Sequence, residues 1–471
     1  MKTVKSNLQT RCEGITFDSS AATFQDATTI TRKLGIKYLW VDALCIVQGD
    51  EDDWRRESMK MNYVYQHATV TITSEASPKS SIGIEDSMKP ARRPSPMLPW
   101  ALFCCESKSL QGKIYFRGNE EPSRGPLSNR AWTLQEEVLS PRIIRFAEQQ
   151  VLWRCCSEAW SEWLPGRGRT FYWEYAETWW NTVQPFRKSD PGHEIIPSRN
   201  MSKVILDFWY MSIVNHYVSR QVTYPRDRLM ALLGITREIQ KYLPEPEFIA
   251  GIWAANIHSG LAWHAPVANA KAYPAYDAPS WSWTHLDYGA IRGVHCFLYE
   301  YWLVSSITPL AEISIEELRP VNKLGSASGR AALRMRSQCL PVCACKVPVA
   351  FFDQRSSSSQ LDDHYQLGRV SQRKTDFIDR IGAKTLAEEP CDTADHKQSR
   401  CQYLYLQLLR YEPDPIEPNW SDEVPIPVIV ALILKECGNK SNAEYQRVGR
   451  ALIPTDPSRP FSWPVQELKV V

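Results

Sequence analysis

A chain of 471 residues, 43% apolar and 23% charged, holds enough material for two or three domains with buried cores. A formal net charge of +2 gives no electrostatic case for nucleic acid or an anionic membrane surface as partner. The first residues, Met1 to Thr10, lack the apolar stretch of a signal peptide, and the longest clean apolar run near the end, Val428 to Leu434, is too short to span a bilayer. Thirteen cysteines, an odd number with many in apolar segments, fit free thiols in a reducing compartment, so the expected location is cytoplasmic.

The first element in chain order is a helix. Phe24, Ala27, Thr31 and Leu34 recur at helical spacing, and Gly35 stands where a helix end favours positive φ. Ile36 to Val47 then runs mostly apolar, with β-branched and aromatic residues and no proline. This pattern predicts a strand buried on both faces, as in a parallel sheet. Asp52 and Asp53 are natural N-caps for the next helix, in which Trp54, Met61, Val64, Tyr65 and Ala68 form one apolar stripe. Val70 and Ile72 alternate with threonines as a short strand. The expectation is helix, strand, helix, strand over residues 19–73, with the two strands parallel in one α/β sheet.

Residues 74–123 read as a long irregular connection with strands near Ala101–Phe103 and Lys113–Phe116. Trp132 to Leu139 reads as a short helix, followed by strands at Ile143–Phe146 and Gln150–Cys155. From about Arg169 to Tyr242 the pattern is helical, including aromatic-dense Phe171–Trp180 and the periodic run Val204–Arg220. Pro225 is expected at a helix start and Gly234 just past its end. Ile252 to Trp263 reads as another helix. Strand-like runs follow at Leu333–Met335, Cys343–Phe352, Tyr403–Leu409, Val428–Leu434 and Tyr445–Ile453, separated by polar loops at 355–364 and 376–400.

In parallel α/β sheets ligands sit beyond the carboxyl ends of the strands, which here means Gln48 to Trp54. Glu57 borders the apolar stripe near the start of the following helix. It either faces a cleft or is a surface carboxylate serving the helix N-terminus and Lys60. Asp42, inside the expected buried strand, must be hydrogen-bonded or paired. Arg130, Trp132, Gln135 and Glu136 either line the cleft or form a buried network holding their helix. Cys339, Cys343, Cys345 and His364 would be a zinc set, but structural zinc sites usually show Cys-x₂₋₄-Cys pairs, and Cys343-x-Cys345 with Pro341 just upstream is a poor match, so no metal is expected. The glycine-rich, nucleophile-elbow, Walker and His-Glu-x-x-His motifs are absent.

Three blocks carry a family resemblance. The first joins Tyr38-Leu-Trp-Val-Asp-Ala-Leu-Cys-Ile-Val-Gln48 to Asp53-Trp-Arg-Arg-Glu57, Met61, Tyr65 and Ala68. The second is Ser128-Asn-Arg-Ala-Trp-Thr-Leu-Gln-Glu136 with Leu139-Ser-Pro-Arg142. The third is Thr223-Tyr-Pro-Arg-Asp-Arg-Leu229 with Ala231, Leu232 and Gly234, followed by Pro279-Ser-Trp-Ser-Trp283. Together they resemble the heterokaryon-incompatibility (HET) domain of filamentous fungi and the region that follows it. The resemblance implies a TIR/flavodoxin-like HET domain over 1–160, a helical region over 161–284 and a β-rich region over 285–471. The family's opening strand, with a Ser-Tyr-x-Trp-Gly-like motif, is missing, which implies an N-terminally truncated domain.

The resemblance implies a role in fungal non-self recognition and programmed cell death. Through the distant likeness of HET to TIR domains it implies Glu57 as catalytic group in cleavage of NAD⁺, which would be substrate rather than cofactor. Asp42, Gln48, Trp54, Arg130, Trp132, Gln135 and Glu136 would then contact the nucleotide. The alternatives are an interaction module that assembles with itself or with a sensor protein, and an inactive truncated member of the family.

Overall fold

The computed structural model describes residues 1–88, 103–104, 113–114, 125–148, 150–156, 158–162, 199–243, 247–263, 271–272, 278–287, 304–317, 331–342, 403–413, 428–437, 444–454 and 463–471. Its described elements mix helices and strands. The chain divides into two compact units. One is Met1–Glu194 with Ala231–Ile235; the other is Ile195–Met230 with Thr236–Val471.

The first unit opens with helices α1 (Leu8–Glu13) and α2 (Ala22–Lys33). Gly35 takes φ +71° just past α2, as its position predicts. The run after it departs from expectation. Residues 36–41 are not in a strand, and Asp42–Cys45 forms one turn of helix, α3. Tyr38 is 88% exposed and Leu39 39%, whereas Ile46 is buried. A strand is defined by its partner, and among the described residues none pairs with this run. The apolar composition therefore leaves an unpaired segment on the surface. Asp42 is correspondingly not inside a buried strand. It is an exposed residue opening α3, its Oδ1 accepting from the Ala43 amide at 2.7 Å.

Two helices follow in place of one: α4 (Glu51–Ser58) and α5 (Met61–His67), broken at Met59–Lys60. Asp50, rather than Asp52 or Asp53, is the N-cap, its carboxylate accepting from the Asp52 and Asp53 amides. Asp53 lies in the first turn and accepts from the Val47 amide at 2.7 Å. Then come β1 (Thr71–Ser74), a helical turn α6 (Ile84–Ser87), and an antiparallel pair of two-residue strands, β2 (Phe103–Cys104) and β3 (Lys113–Ile114). Helix α7 (Trp132–Leu139) spans the residues expected of it, and β4 (Arg142–Phe146), β5 (Val151–Cys155) and β6 (Ala159–Ser161) complete a four-stranded sheet in the order β1-β4-β5-β6. The parallel partner of β1 is β4, with Thr71 opposite Ile143, and the remaining pairs are antiparallel. The expected parallel pair across residues 19–73 is thus replaced by one in which β1 pairs with a strand 72 residues further along the chain.

Charge is built into the packing of α7 on this sheet. Arg145 forms a buried ion pair with Glu137, and Arg154 donates to the Glu137 and Ser140 carbonyls at 2.7 and 2.8 Å. Gly234 belongs to the same unit. It lies inside a helix instead of beyond its end, because a Cβ there would strike the Gln135 side chain and Cβ of Asn62.

The second unit begins with α8 (Arg199–Asp207), a π-helical segment Phe208–Val214 and α9 (Asn215–Tyr217), in the region read as periodic. A 3-10 turn opens at Pro225, and α10 (Leu233–Gln240) crosses from one unit to the other in sequence. Residues 252–263, read as a helix, instead give β8 (Ile252–Trp253), paired with β7 (Phe248–Ile249), and then α11 (Ile257–Leu261). Gly251 at φ +92° and Ala250 at φ +46° make the tight turn that a helix cannot contain. Two further short strands, β9 (Lys271–Ala272) and β10 (Leu286–Asp287), pair with each other.

The C-terminal region is β-rich and contains a closed barrel. Its strands are β11 (Val304–Pro309), β12 (Glu312–Glu317), β13 (Ala331–Val342), β14 (Tyr403–Pro413), β15 (Val428–Glu436), β16 (Glu444–Pro454) and β17 (Val465–Val470). Strands β13 to β17 pair in succession, and β13 closes on β14 through Cys339 opposite Leu406. Leu333, Met335, Leu406, Leu408, Val430, Leu432 and Leu434 are buried, so the long apolar runs read as strands supply the core. Arg447 and Arg450 are buried against carbonyls of Trp263 and Ala262, and the Arg447 guanidinium lies 3.7 Å from the Trp263 ring centre. The strand expected at Cys343–Phe352, the aromatic run Phe171–Trp180 and the polar loops at 355–364 and 376–400 lie outside the described residues.

Candidate functional site

The first unit gathers ionisable side chains around α5 and α7. Tyr65 projects from α5, Glu136 from α7, Arg130 from the turn leading into α7, and Asp42 from the start of α3. The Tyr65 hydroxyl hydrogen-bonds the Glu136 carboxylate. Trp40 packs edge-on against Tyr65 with ring centres 5.8 Å apart. Burial comes first in setting the state of Glu136, and the nearby Asp42 carboxylate adds to it, pushing the Glu136 carboxyl up to about 7. Arg130 and the Tyr65 hydroxyl oppose that rise, and Glu137 adds to it. Burial, then the two carboxylates, hold the Tyr65 hydroxyl well above its usual range.

This is an acid–base group poised at neutral pH, with a second carboxylate, a guanidinium and a phenol beside it. Trp54 and Trp132, on α4 and α7, stand edge to face with ring centres 6.1 Å apart. They give the same unit a half-buried aromatic pair suited to stacking on a planar ligand.

The structure thus brings Asp42, Arg130 and Glu136 together, and Trp54 with Trp132. Other candidates are engaged elsewhere. Gln135 is buried and accepts from the Gly234 amide at 2.7 Å, so it clamps a neighbouring segment. Gln48 donates from its side chain to the Ile46 carbonyl at 3.1 Å, and its amide binds the Thr3 carbonyl. Glu57 is half-buried, with Oε1 accepting from Lys60 Nζ at 2.9 Å and Arg56 Nε at 3.3 Å. Two residues of the cluster, Tyr65 and Trp40, were not among the candidates. Tyr65 stands in the apolar stripe and in the first family block, yet a phenol on a buried stripe also needs a partner for its oxygen.

Among the described residues no group of three or more His, Cys, Asp or Glu could hold a metal ion, and no helix is long and apolar enough to cross a membrane. Cys339, the one member of the cysteine group within the described residues, is buried in β13, where burial pushes its thiol up to about 11.

No curated protein and no solved structure matches the chain. Residues 2–136 match the profile of the family described as heterokaryon incompatibility protein (HET). The matched stretch ends inside α7 at Glu136, so it contains all of Trp40, Asp42, Tyr65, Arg130 and Glu136. Over residues 2–136 this chain is therefore similar to the HET family.

Proposed function

We propose that this protein acts in fungal heterokaryon incompatibility, and that its HET domain promotes cell death by hydrolysing the nicotinamide–ribose bond of NAD⁺. The observation that carries this reading is the placement of the Glu136 carboxyl, hydrogen-bonded to Tyr65 with Asp42 and Arg130 nearby, where burial pushes it up to about 7. Hydrolysis gives ADP-ribose, nicotinamide and a proton. As the nicotinamide leaves with the bonding electron pair, positive charge develops on the ribose, and the Asp42 and Glu136 carboxylates stabilise it. Ionised Glu136 accepts the proton of the attacking water, a task suited to a base whose acid form dissociates near the working pH. Arg130 supplies positive charge for the pyrophosphate, and the Trp54–Trp132 pair offers a ring face. Glu57, one helix away, is the competing catalytic group.

The test is expression of the full chain and of its Glu136→Gln and Glu57→Gln variants in fungal cells, with NAD⁺ and viability followed together. The account expects wild-type and Glu57→Gln chains to deplete NAD⁺ and kill, and Glu136→Gln to do neither. Depletion that survives Glu136→Gln but not Glu57→Gln would transfer the role to Glu57.

A second reading has its own support. The segment 36–41 is apolar, has no strand partner among the described residues and exposes Tyr38. Such a backbone suits pairing with another chain, as an assembly module requires. Death without any loss of NAD⁺ would favour it.

A further inference from the structure

We infer that Glu75 is a positioning residue of the candidate site: its buried carboxylate anchors the turn that carries Arg130 toward Glu136. The inference rests on the site reading above. It does not depend on which reaction, if any, the site performs.

Glu75 follows β1 directly and is 2% exposed. Its Oε1 accepts from the Gly125 amide at 2.6 Å and from the Ser128 amide at 3.3 Å, fifty and fifty-three residues further along the chain. A carboxylate receiving two backbone amides is a charge-assisted anchor, stronger than neutral hydrogen bonds. The approach requires glycine at 125, because a Cβ there would overlap the Glu75 carbonyl oxygen.

From that anchor the chain is rigid up to the site. Pro126 to Asn129 form a 3-10 turn, and the Arg130 amide donates to the Leu127 carbonyl at 3.0 Å. The Thr133 hydroxyl bonds the carbonyls of Leu127 at 3.0 Å and Arg130 at 2.7 Å, fastening the turn to the first turn of α7. Arg130 and Glu136 thus stand on one braced segment whose far end is held by Glu75.

The surroundings of the anchor are polar as well as buried. Glu75 Oε2, Ser74 Oγ and Ser128 Oγ are each buried with no hydrogen-bond partner among the described residues. Glutamine at position 75 would keep an acceptor for the two amides; alanine would not.

The experiment is a carbon-13 titration of the Glu136 carboxyl in the full-length protein, with the resonance assigned through Glu136→Gln. The wild-type midpoint is expected near 7. Arg130→Ala removes the guanidinium and should raise the midpoint by about 0.5 pH unit or more. Glu75→Ala should raise it similarly with the fold retained, as judged by thermal melting. Glu75→Gln, which removes the same negative charge, should bring it back to within about 0.2 pH unit of wild type. If Glu75→Ala does not fold, Glu75→Asp, too short to reach both amides, is read in its place.

An unchanged midpoint in folded Glu75→Ala or Glu75→Asp overturns the inference, as does a Glu75→Gln midpoint no closer to wild type than the alanine's. An unchanged midpoint in Arg130→Ala also overturns it, since there would then be nothing to position. A wild-type midpoint near 4.5 would instead defeat the site reading itself.

Discussion

The N-terminal sheet and the C-terminal barrel solve the same problem in opposite ways. The sheet β1-β4-β5-β6 has strands of three to five residues and, among the described residues, two unpaired edges, and it packs against α7 through the Arg145–Glu137 pair and Arg154. The barrel β13 to β17 uses strands of six to twelve residues, closes on itself and buries leucine, isoleucine and valine. Burying charge stabilises little for its area but fixes geometry; burying alkyl side chains does the reverse. The titratable cluster lies beside α7, where polar groups need exact partners, while the barrel's buried charges, Arg447 and Arg450 on β16, are set against backbone carbonyls.

The comparison can be broken by mutation. The largest effect is expected from Arg145→Ala, which takes away the charge paired with Glu137. Removing one side of a buried pair costs about 3–5 kcal/mol, to be read as faster hydrogen exchange of the β4 and β5 amides with the β15 amides unchanged. Leu432→Ala in the barrel should cost about 3 kcal/mol through lost burial and a cavity, with the pattern of exchange reversed. Equal loss of protection in both regions from either change would show that the two are not energetically distinct.

Glu136→Gln sharpens the contrast because its effect depends on pH. The folded state binds the Glu136 proton more tightly, at about 7 against 4.5 when unperturbed. The stabilisation from that proton is therefore complete below about pH 4.5 and lost as the pH rises through about 7. Glutamine, which cannot ionise, should stabilise the N-terminal unit by about 1–3 kcal/mol at pH 8, allowing for partial solvent exposure, and change it little at pH 4. Urea unfolding at the two pH values measures this.

In the barrel region the Tyr405 hydroxyl is buried with no partner among the described residues, and burial pushes it up to about 12. Tyr405→Phe should therefore stabilise by about 1 kcal/mol, where deletion of a hydrogen-bonded hydroxyl would destabilise. The smallest effect belongs to Arg336→Ala on β13. Its 3.3 Å bond to Glu312 lies at the exposed surface, and less than about 0.5 kcal/mol should be lost. Thermal melting is sufficient for both.

The two regions also differ in how far they could be read from sequence. Val428–Leu434 is a strand because a long β-branched run has few other stable states, and the barrel pairs it with Tyr445–Ile453. Ile36–Val47 has the same composition without a described partner, and periodicity along one segment carries no information about its neighbour. Strand β17 was missed because Gln466, Glu467 and Lys469 dilute its alternation.

In the candidate site Asp42, Arg130 and Glu136 stand out as polar residues among apolar ones, while Tyr65, though in the first family block, blends into an apolar stripe. Gln135 looked like a ligand-facing amide, yet its partner is Gly234, ninety-nine residues later. Long-range polar pairing of this kind leaves no local pattern, and Glu75 with Gly125 is the same case.

The central claim is that Glu136 is the acid–base group of a site that cleaves NAD⁺. It is tested most directly by nicotinamide release from NAD⁺ by the purified full-length chain between pH 5 and 9, beside Glu136→Gln. The account predicts turnover that rises through about pH 7 as Glu136 ionises, then levels, and that falls by about 100-fold or more in Glu136→Gln. Turnover of Glu136→Gln equal to wild type across that range, or no release by the wild-type chain at any pH, would contradict it.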